Sequence, residues 1–337
     1  MFLLDKYRPR TKDDVYFHKE LINQLDIMSK DTMIPNLIFY GPDGSGKSTI
    51  IELFLEMIYD TDVHCLNEVT YKVTGSGNIT TDIKIKQSNY HIIIEPNNNN
   101  FDRYLVQEIV KEYAKKPPFN IFKKNINFKT VLINDVHKLS YYAQTSLRRT
   151  MEKYAKNCRF ILCSNSLSKV LEPIRSRCIS LNINRPDFDS IIKYVTLISG
   201  KENIKVTLKE IIKIIDLSNG NIKDIMWLLQ LKKEKNDIII SYNKAIIEIT
   251  NLLLRKNADE LDVIINLIYD IITTNIHCSR LIVDIMKTLI SSKKLKESEK
   301  YKIIYESAKY ESRLIKGRHV IIHLQSYICS IMCILTE

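Results

Sequence analysis

A short loop near the amino end of the chain has the pattern that holds phosphate groups. Residues 41–48 match Gly-x-x-x-x-Gly-Lys-Ser/Thr without a mismatch, after an apolar run and before an amphipathic one. Glycine lets successive backbone N–H groups point at phosphate oxygens, and a helix that starts there adds a favourable dipole. We expect Lys47 to reach the β- and γ-phosphates and the Ser48 hydroxyl to bind Mg²⁺. The sequence therefore predicts a site for ATP or ADP that comprises Gly41, Pro42, Asp43, Gly44, Ser45, Gly46, Lys47, Ser48 and Thr49.

Hydrolysis would need acidic side chains where a second strand ends, one to hold Mg²⁺ and one to polarise the attacking water. That strand ends at Asn134 and Asp135. In one alignment Asn134 takes the metal position and Asp135 the base position; in the other, Asp135 is the metal ligand and Val136 replaces the base. Neither supplies two adjacent acids, and the neutral oxygen of Asn134 attracts Mg²⁺ less than a carboxylate does. We therefore predict nucleotide binding with impaired hydrolysis, with Asp135 as a candidate for a weak base.

The composition is that of a globular protein with an excess of basic residues. The chain has 337 residues, enough for two or three domains, and its net charge of +11 favours a polyanionic partner, although such an excess is also common on solvated surfaces. No apolar run reaches the ~18 residues that span a bilayer, and an acid and a proline come too early for a signal peptide. Seven cysteines, an odd number, exclude a complete set of internal disulfides. We expect buried, reduced thiols and an intracellular, reducing compartment.

Short apolar runs alternate with helical patterns in the first half of the chain. The runs at residues 36–40, 92–94, 130–133, 160–163 and 179–183 indicate buried strands. Strands that alternate with helices are typical of a parallel sheet flanked by helices. The sequence therefore predicts an α/β domain that carries the phosphate loop.

The pattern becomes purely helical after the fifth predicted strand. Asp187 can cap one helix, and Thr207 and Glu210 have the spacing of a capping box at the start of another. A charged stretch at 232–237 is interpreted as a linker, and only helical periodicity follows it. The predicted domains are residues 1–184, 185–235 and 236–337.

Several segments beyond the phosphate loop occur together in one family. They are Leu-Asp-Lys-Tyr-Arg-Pro at 4–9, the helical segment at 143–154, Cys-Ser-Asn at 163–165, Glu-Pro-Ile-Arg-Ser-Arg-Cys at 172–178 and Ser-Asn-Gly-Asn-Ile-Lys at 218–223. With the phosphate loop, they resemble an AAA+ ATPase and, more narrowly, a small subunit of replication factor C, the sliding-clamp loader. The resemblance covers essentially the whole chain, and 172–178 is its most specific part. It implies an AAA+ domain followed by a small helical lid and an all-α collar.

The resemblance implies roles for residues around the nucleotide. Tyr7, Arg8 and Pro9 would lie against the adenine, and Asn165 would sense the γ-phosphate. Lys223 stands where the family usually has arginine. Lysine keeps the charge but lacks the planar fork, which weakens γ-phosphate sensing.

The resemblance also implies an arginine finger, which is a guanidinium lent to the ATP of a neighbouring subunit. Arg177 is our candidate, although Arg175 competes for the role and an ion pair within the domain is the alternative. Further segments at 16–20, 88–91 and 310–314 resemble one particular small subunit of that family. It lies at the end of the arc of subunits, opposite the large subunit, and its own nucleotide site is degenerate. That degeneracy agrees with the missing pair of acids.

The implied partners are the other subunits of a hetero-pentamer, the sliding clamp and primer-template DNA. Arg103, Lys138 and Arg148 are candidates for contacts with DNA phosphates, each with the alternative of a solvated charge on a helix. The apolar positions between 106 and 113 either pack on the sheet or contact the clamp. The expected compartment is a nucleus or a cytoplasmic site of viral replication. Two other functions stay open: a fully active AAA+ motor such as a helicase loader, and a scaffold with a vestigial phosphate loop.

Overall fold

The structure is a computed structural model that describes residues 2–31, 34–59, 61–74, 80–96, 102–115, 128–234, 241–257, 260–273, 278–292, 295–316 and 320–336. The chain forms two compact units, Met1–Asn236 and Asp237–Glu337. The phosphate loop belongs to the first unit. The further division of that unit at residue 184 stays a prediction.

A seven-stranded sheet lies at the centre of the first unit, in the order β2-β3-β4-β5-β6-β1-β7. The strands are β1 (Leu37–Tyr40), β2 (Asn67–Thr74), β3 (Thr80–Gln87), β4 (His91–Ile94), β5 (Lys129–Ile133), β6 (Cys158–Ser164) and β7 (Ile179–Asn182). The five predicted strands are β1 and β4 to β7, and they pair in parallel as expected. The sequence analysis missed β2 and β3, an antiparallel hairpin that pairs with β4. The sheet is therefore mixed rather than all-parallel.

Both faces of the sheet are buried, which explains why its central strands are continuous apolar runs. In β5, Val131 and Ile133 join one apolar cluster while Leu132 joins the other. In β6, Phe160 and Ile161 divide between the two clusters in the same way. Successive side chains of a strand point to opposite faces, so helices must cover both sides.

Ten α-helices are described in the first unit. They are α1 (Leu3–Lys6), α2 (Lys19–Lys30), α3 (Lys47–Tyr59), α4 (Asp102–Tyr104), α5 (Lys111–Lys115), α6 (Tyr141–Lys153), α7 (Glu172–Arg175), α8 (Phe188–Lys201), α9 (Leu208–Ser218) and α10 (Ile222–Lys233). The capping box at the start of α9 is confirmed, since the Thr207 amide donates to Glu210 Oε2 at 2.9 Å. The linker prediction was wrong in part because Lys232 and Lys233 end α10, while residues 235–237 lie outside the described part of the chain.

A π-helical turn, Leu105–Val110, connects α4 to α5. The apolar residues of this helical segment face the core, where Val106, Ile109, Val110 and Tyr113 are all buried. None of these four is exposed, so none of them is available at the surface for a contact with a clamp. The alternative of packing on the sheet is what the structure shows.

The second unit contains helices and no strand among its described residues. The helices are α11 (Ser241–Arg255), α12 (Leu261–Thr273), α13 (Cys278–Ser291), α14 (Glu297–Lys316) and α15 (Val320–Thr336). Their apolar faces meet in one cluster that includes Ile249, Ile264 and Ile285. Tyr327 is fully buried there, and its hydroxyl shares a hydrogen bond of 2.9 Å with Ser307 Oγ, which satisfies both polar groups.

None of the seven cysteines, which all lie in the described part of the chain, forms a disulfide. Cys158 is buried, which raises the pKa of its thiol to about 12. The expectation of burial was wrong for Cys65, Cys329 and Cys333, which are exposed. Among the helices that the structure describes, none is long and apolar enough to cross a bilayer.

Candidate nucleotide site

The phosphate loop leaves the end of β1 and runs into the start of α3, between the ends of β6 and β7. The Gly41 amide donates to the Ser164 carbonyl at 3.2 Å, which ties the loop to β6. On the other side, a Cβ on Gly41 would lie 2.0 Å from the Ile183 carbonyl oxygen. No side chain fits there, so the first glycine of the motif is required by packing.

Gly44 brings the start of α10 against the loop. Its φ of +73° is a left-handed conformation that favours glycine, and an added Cβ would lie 1.6 Å from Asn221 Oδ1. The Ile222 amide donates to the Gly44 carbonyl at 3.2 Å. Asn221 also caps α10 by accepting from the Lys223 amide at 3.0 Å. Lys223 lies in the first turn of α10, next to this contact, and its side chain is exposed.

Gly44→Ala is expected to lower the free energy of unfolding by about 2–4 kcal/mol, because the left-handed backbone and the clash with Asn221 both cost stability. Urea unfolding measures the change. Gly200→Ala is the control, since a Cβ there meets nothing within 4 Å inside α8 and should add about 0.5–1 kcal/mol. Gly44→Ala combined with Asn221→Ala should recover part of the loss. Wild-type stability in Gly44→Ala would contradict this account of the loop.

Lys47 is buried and lies folded back on the loop. Its Nζ donates to the carbonyls of Gly41 at 2.7 Å and Pro42 at 2.8 Å. Burial lowers the pKa of the Lys47 amine. Ser45 Oγ is buried without a hydrogen-bond partner, and a Cβ on Gly46 would meet nothing within 4 Å. These features fit a phosphate ligand: the Ser45 hydroxyl has no partner, the space beside Gly46 is empty, and the Lys47 amine bonds only to carbonyls.

The end of β5 carries the two residues predicted to serve hydrolysis. Asn134 and Asp135 are both half-buried, and Asp135 has a φ of +48°. The Asp135 carboxylate accepts a hydrogen bond of 2.6 Å from Lys138 Nζ and forms an ion pair with it. This contact engages one of the predicted DNA-binding residues within the chain. It also offsets the charge that would make Asp135 a metal ligand or a base.

His137 joins the ends of β5 and β6, a contact that the sequence analysis missed. The Asn165 amide donates to His137 Nδ1 at 3.3 Å, and Ser164 Oγ lies 3.4 Å from the same nitrogen. Burial lowers the pKa of His137, so the neutral ring that can accept this hydrogen bond is favoured. Asn165, the predicted γ-phosphate sensor, is thereby held at the end of β6.

A cavity of about 520 Å³ adjoins the loop and contains the residues predicted to contact adenine. Tyr7, Arg8 and Pro9 line it, together with Thr49 at the start of α3. The sequence analysis did not predict the remaining wall, which includes Val15, Tyr16, Phe17, His18, Tyr194 and Leu197. The rings of Tyr16 and Phe17 lie 5.2 and 4.9 Å from the ring of Tyr194. An apolar and aromatic wall next to a phosphate loop suits a nucleoside.

Glu202 holds the amino-terminal segment in this cavity. Its carboxylate accepts from Tyr7 Oη at 2.7 Å, from Lys6 Nζ at 2.5 Å and from Lys233 Nζ at 2.9 Å. Hydrogen bonds from Lys6, Lys233 and Tyr7 lower the pKa of Glu202 to about 2. The pKa of Tyr7 is raised to about 12, first by burial of its hydroxyl and second by the hydrogen bond to the Glu202 carboxylate. Arg8 pairs with Glu52 of α3 at 2.6 Å. The first residues of the chain are therefore fixed to α3, α8 and α10.

The predicted arginine finger forms an ion pair within its own unit. Arg177 Nη2 lies 2.5 Å from Glu152 Oε1, and Arg177 Nη1 donates to the Pro173 carbonyl at 2.7 Å. Arg148, a predicted DNA contact, pairs with the same Glu152 oxygen at 3.1 Å. Arg175, the competing candidate, has a buried Nε without a partner.

The third predicted DNA contact, Arg103, is exposed at the start of the helix that contains the π turn. Its guanidinium lies over the ring of Tyr142, 5.8 Å from the centroid. Tyr141 and Tyr142 at the start of α6 are both more than 60% exposed, at 65% and 68%. Arg103, Lys138 and Arg148 thus all lie at the surface, each with a contact inside the chain.

Comparison with known proteins assigns both units to replication proteins. Residues 17–187 match the family model of the DNA polymerase III delta subunit, and residues 242–337 match that of the C-terminal domain of replication factor C subunit 3. The putative replication factor C small subunit of Acanthamoeba polyphaga mimivirus is 37% identical over 98% of this chain and 90% of its own. Replication factor C subunit 5 of Oryza sativa is 33% identical over 100% of this chain and 98% of its own.

A solved structure supports the fold. The DNA polymerase III gamma subunit-related protein of Thermotoga maritima superposes with a TM-score of 0.52 at 14% identity, over 94% of this chain and 99% of its own. At that identity the likeness concerns the fold alone. Together with the full-length relatives, it shows that the chain belongs to the replication factor C family of clamp-loader small subunits, which have the AAA+ fold.

Proposed function

We propose that this subunit binds ATP or ADP with Mg²⁺, hydrolyses little of it, and lends Arg177 to the ATP site of a neighbouring subunit. In this role it helps to load a sliding clamp onto primer-template DNA within a hetero-pentamer. Residues 1–184 serve as the nucleotide-binding domain, 185–235 as the lid and 236–337 as the collar. The compartment is a reducing one, either a nucleus or a cytoplasmic site of viral replication.

The observation that carries the proposal is the contrast between the loop and the end of β5. The loop offers a phosphate the buried amine of Lys47, empty space beside Gly46 and the unpartnered hydroxyl of Ser45. The end of β5 offers one neutral oxygen, from Asn134, and one carboxylate already paired with Lys138 at 2.6 Å. Such a site retains the affinity of a phosphate loop but lacks the second acid that activates water.

The residues that would hold Mg²⁺ are Ser48, Asn134 and Asp135. Mg²⁺ is commonly bound through one or two protein oxygens plus phosphates and water, and this donor set fits such weak coordination. When bound, the ion neutralises charge on the β- and γ-phosphate oxygens. Lys138 competes with it for Asp135, which agrees with slow turnover.

Support for the interaction roles comes from exposure and charge. Arg177 has a third of its side chain exposed, at 33%, and its partner Glu152 has 42%. Arg103, Lys138 and Arg148 offer cations to DNA phosphates, as the net charge of +11 allows. Contacts of this kind follow the shape of the backbone rather than the base sequence.

Nucleotide retention and turnover by the full chain test the proposal. We expect the purified chain to bind ATP in a titration with Mg²⁺ and to return it almost entirely as ATP after one hour, as measured by chromatography. Addition of partner subunits and primed DNA should raise the turnover of the assembly. Turnover by the chain alone at ordinary ATPase rates would favour an active motor instead, and failure to bind any nucleotide would favour a scaffold with a vestigial loop.

A further inference from the structure

Arg185 is a cation beside the phosphate loop to which no sequence motif assigns a role. It is exposed, three residues beyond the end of β7. The carbonyl of Ile183, two residues earlier, packs directly against Gly41, where an added Cβ would lie 2.0 Å from that oxygen. The backbone that leads to Arg185 therefore touches the start of the loop.

The side chain of Arg185 reaches the other flank of the same loop. Its Nη1 donates to the Asn219 carbonyl at 2.7 Å, in the turn between α9 and α10. Asn219 has a φ of +49°, and two residues later Asn221 packs its side chain against Gly44. The guanidinium thus bridges the two segments that border the loop.

We propose that Arg185 binds the terminal phosphate of a bound nucleoside triphosphate while it keeps its hydrogen bond to Asn219. A guanidinium has five N–H donors in a planar fork, so it can serve a carbonyl and a phosphate together. Lys223 lacks that fork, and Arg185 supplies it from a different element. The turn before α10 then responds to the difference between ATP and ADP. This inference rests on the proposed nucleotide binding.

Affinities of the full chain for ATP, ADP and AMP with Mg²⁺, measured by calorimetry, test the inference. In Arg185→Ala we expect ATP to bind about tenfold more weakly and ADP at most about threefold, with AMP unchanged. Arg185→Gln keeps a donor for the Asn219 carbonyl but carries no charge, and it should lose ATP affinity to the same extent. Lys213→Ala, an exposed change of equal charge on α9, should alter none of the three affinities.

Four results would overturn the inference. Equal losses for all three nucleotides, or a loss in Arg185→Ala that Arg185→Gln does not share, would mean that the side chain only holds the turn between α9 and α10. Unchanged ATP affinity in both variants would remove Arg185 from the site and leave nucleotide binding by the loop intact. A wild-type chain that binds none of the three nucleotides would overturn the proposed function together with this inference.

Discussion

Arg177→Ala, in a complex assembled with its partner subunits, is expected to lower ATP hydrolysis at the neighbouring site by about 10³-fold or more. A guanidinium at that site neutralises charge that spreads over the γ-phosphate oxygens in the transition state. The ATP affinity of the isolated variant should stay within about twofold of wild type, because Arg177 lies outside the cavity and the loop. The measurement is the single-turnover rate at which the complex hydrolyses labelled ATP bound at the neighbouring site.

The ion pair with Glu152 does not prevent Arg177 from reaching the ATP of a neighbouring subunit. An exposed ion pair contributes about 0–1 kcal/mol, so a phosphate on a neighbouring subunit can replace the carboxylate as the partner of Arg177. Glu152→Gln should therefore leave hydrolysis nearly unchanged. Arg255→Ala is a matched control, since Arg255 is an exposed arginine paired with Glu260 at 3.2 Å. An unaltered rate in Arg177→Ala would remove Arg177 from the role and direct attention to Arg175.

Lys47→Met is expected to reduce ATP affinity by about 100-fold or more. A hydrogen bond to a charged group contributes about 1.5–3 kcal/mol, and 1.4 kcal/mol corresponds to a factor of ten. The amine now rests on the carbonyls of Gly41 and Pro42 at 2.7 and 2.8 Å, from which it can turn to the phosphates. Thermal unfolding with and without ATP measures the loss, because a bound ligand raises the midpoint according to its affinity.

The same substitution should affect stability far less than binding. Lys47 is buried with its charge desolvated, so exchanging it for an apolar side chain of similar length removes an unfavourable burial as well as two hydrogen bonds. We expect the free energy of unfolding without ligand to change by about 1 kcal/mol or less. Lys213→Met is the exposed control. If ATP raises the midpoint of Lys47→Met as much as that of wild type, the loop does not bind phosphate through this amine.

The phosphate loop and the parallel strands could be predicted because their signals are local. The spacing of glycines around Lys47 encodes the loop directly, and buried parallel strands are continuous apolar runs. The hairpin of β2 and β3 also had a signal, the alternation of Val69, Tyr71 and Val73 with polar residues. Such alternation is typical of a strand with one buried face, so it does not form the unbroken apolar run that marks the central strands.

Other contacts could not be predicted because they depend on distant parts of the chain. The pairs of Arg177 with Glu152 and of Tyr7 with Glu202 join residues that no periodicity relates. The pair of Asp135 and Lys138 has helical spacing, but Asp135 itself follows β5 with a left-handed φ of +48°, which the spacing does not predict. Arg185 gave no signal because it belongs to no motif and gains its neighbours through the packing of β7 against β1.

The π turn at Leu105–Val110 has a consequence for related chains. A π turn contains about one residue more than an α-helical turn, and each helical residue advances about 100° around the axis. The extra residue rotates Arg103 relative to Tyr113, so that one faces the ring of Tyr142 while the other stays in the core. Deleting one residue between 105 and 110 would convert the π turn to a regular α-helix and rotate Arg103 away from α6. An orthologue that lacks one residue between positions 105 and 110 is therefore expected to place the basic residue at position 103 elsewhere on its surface.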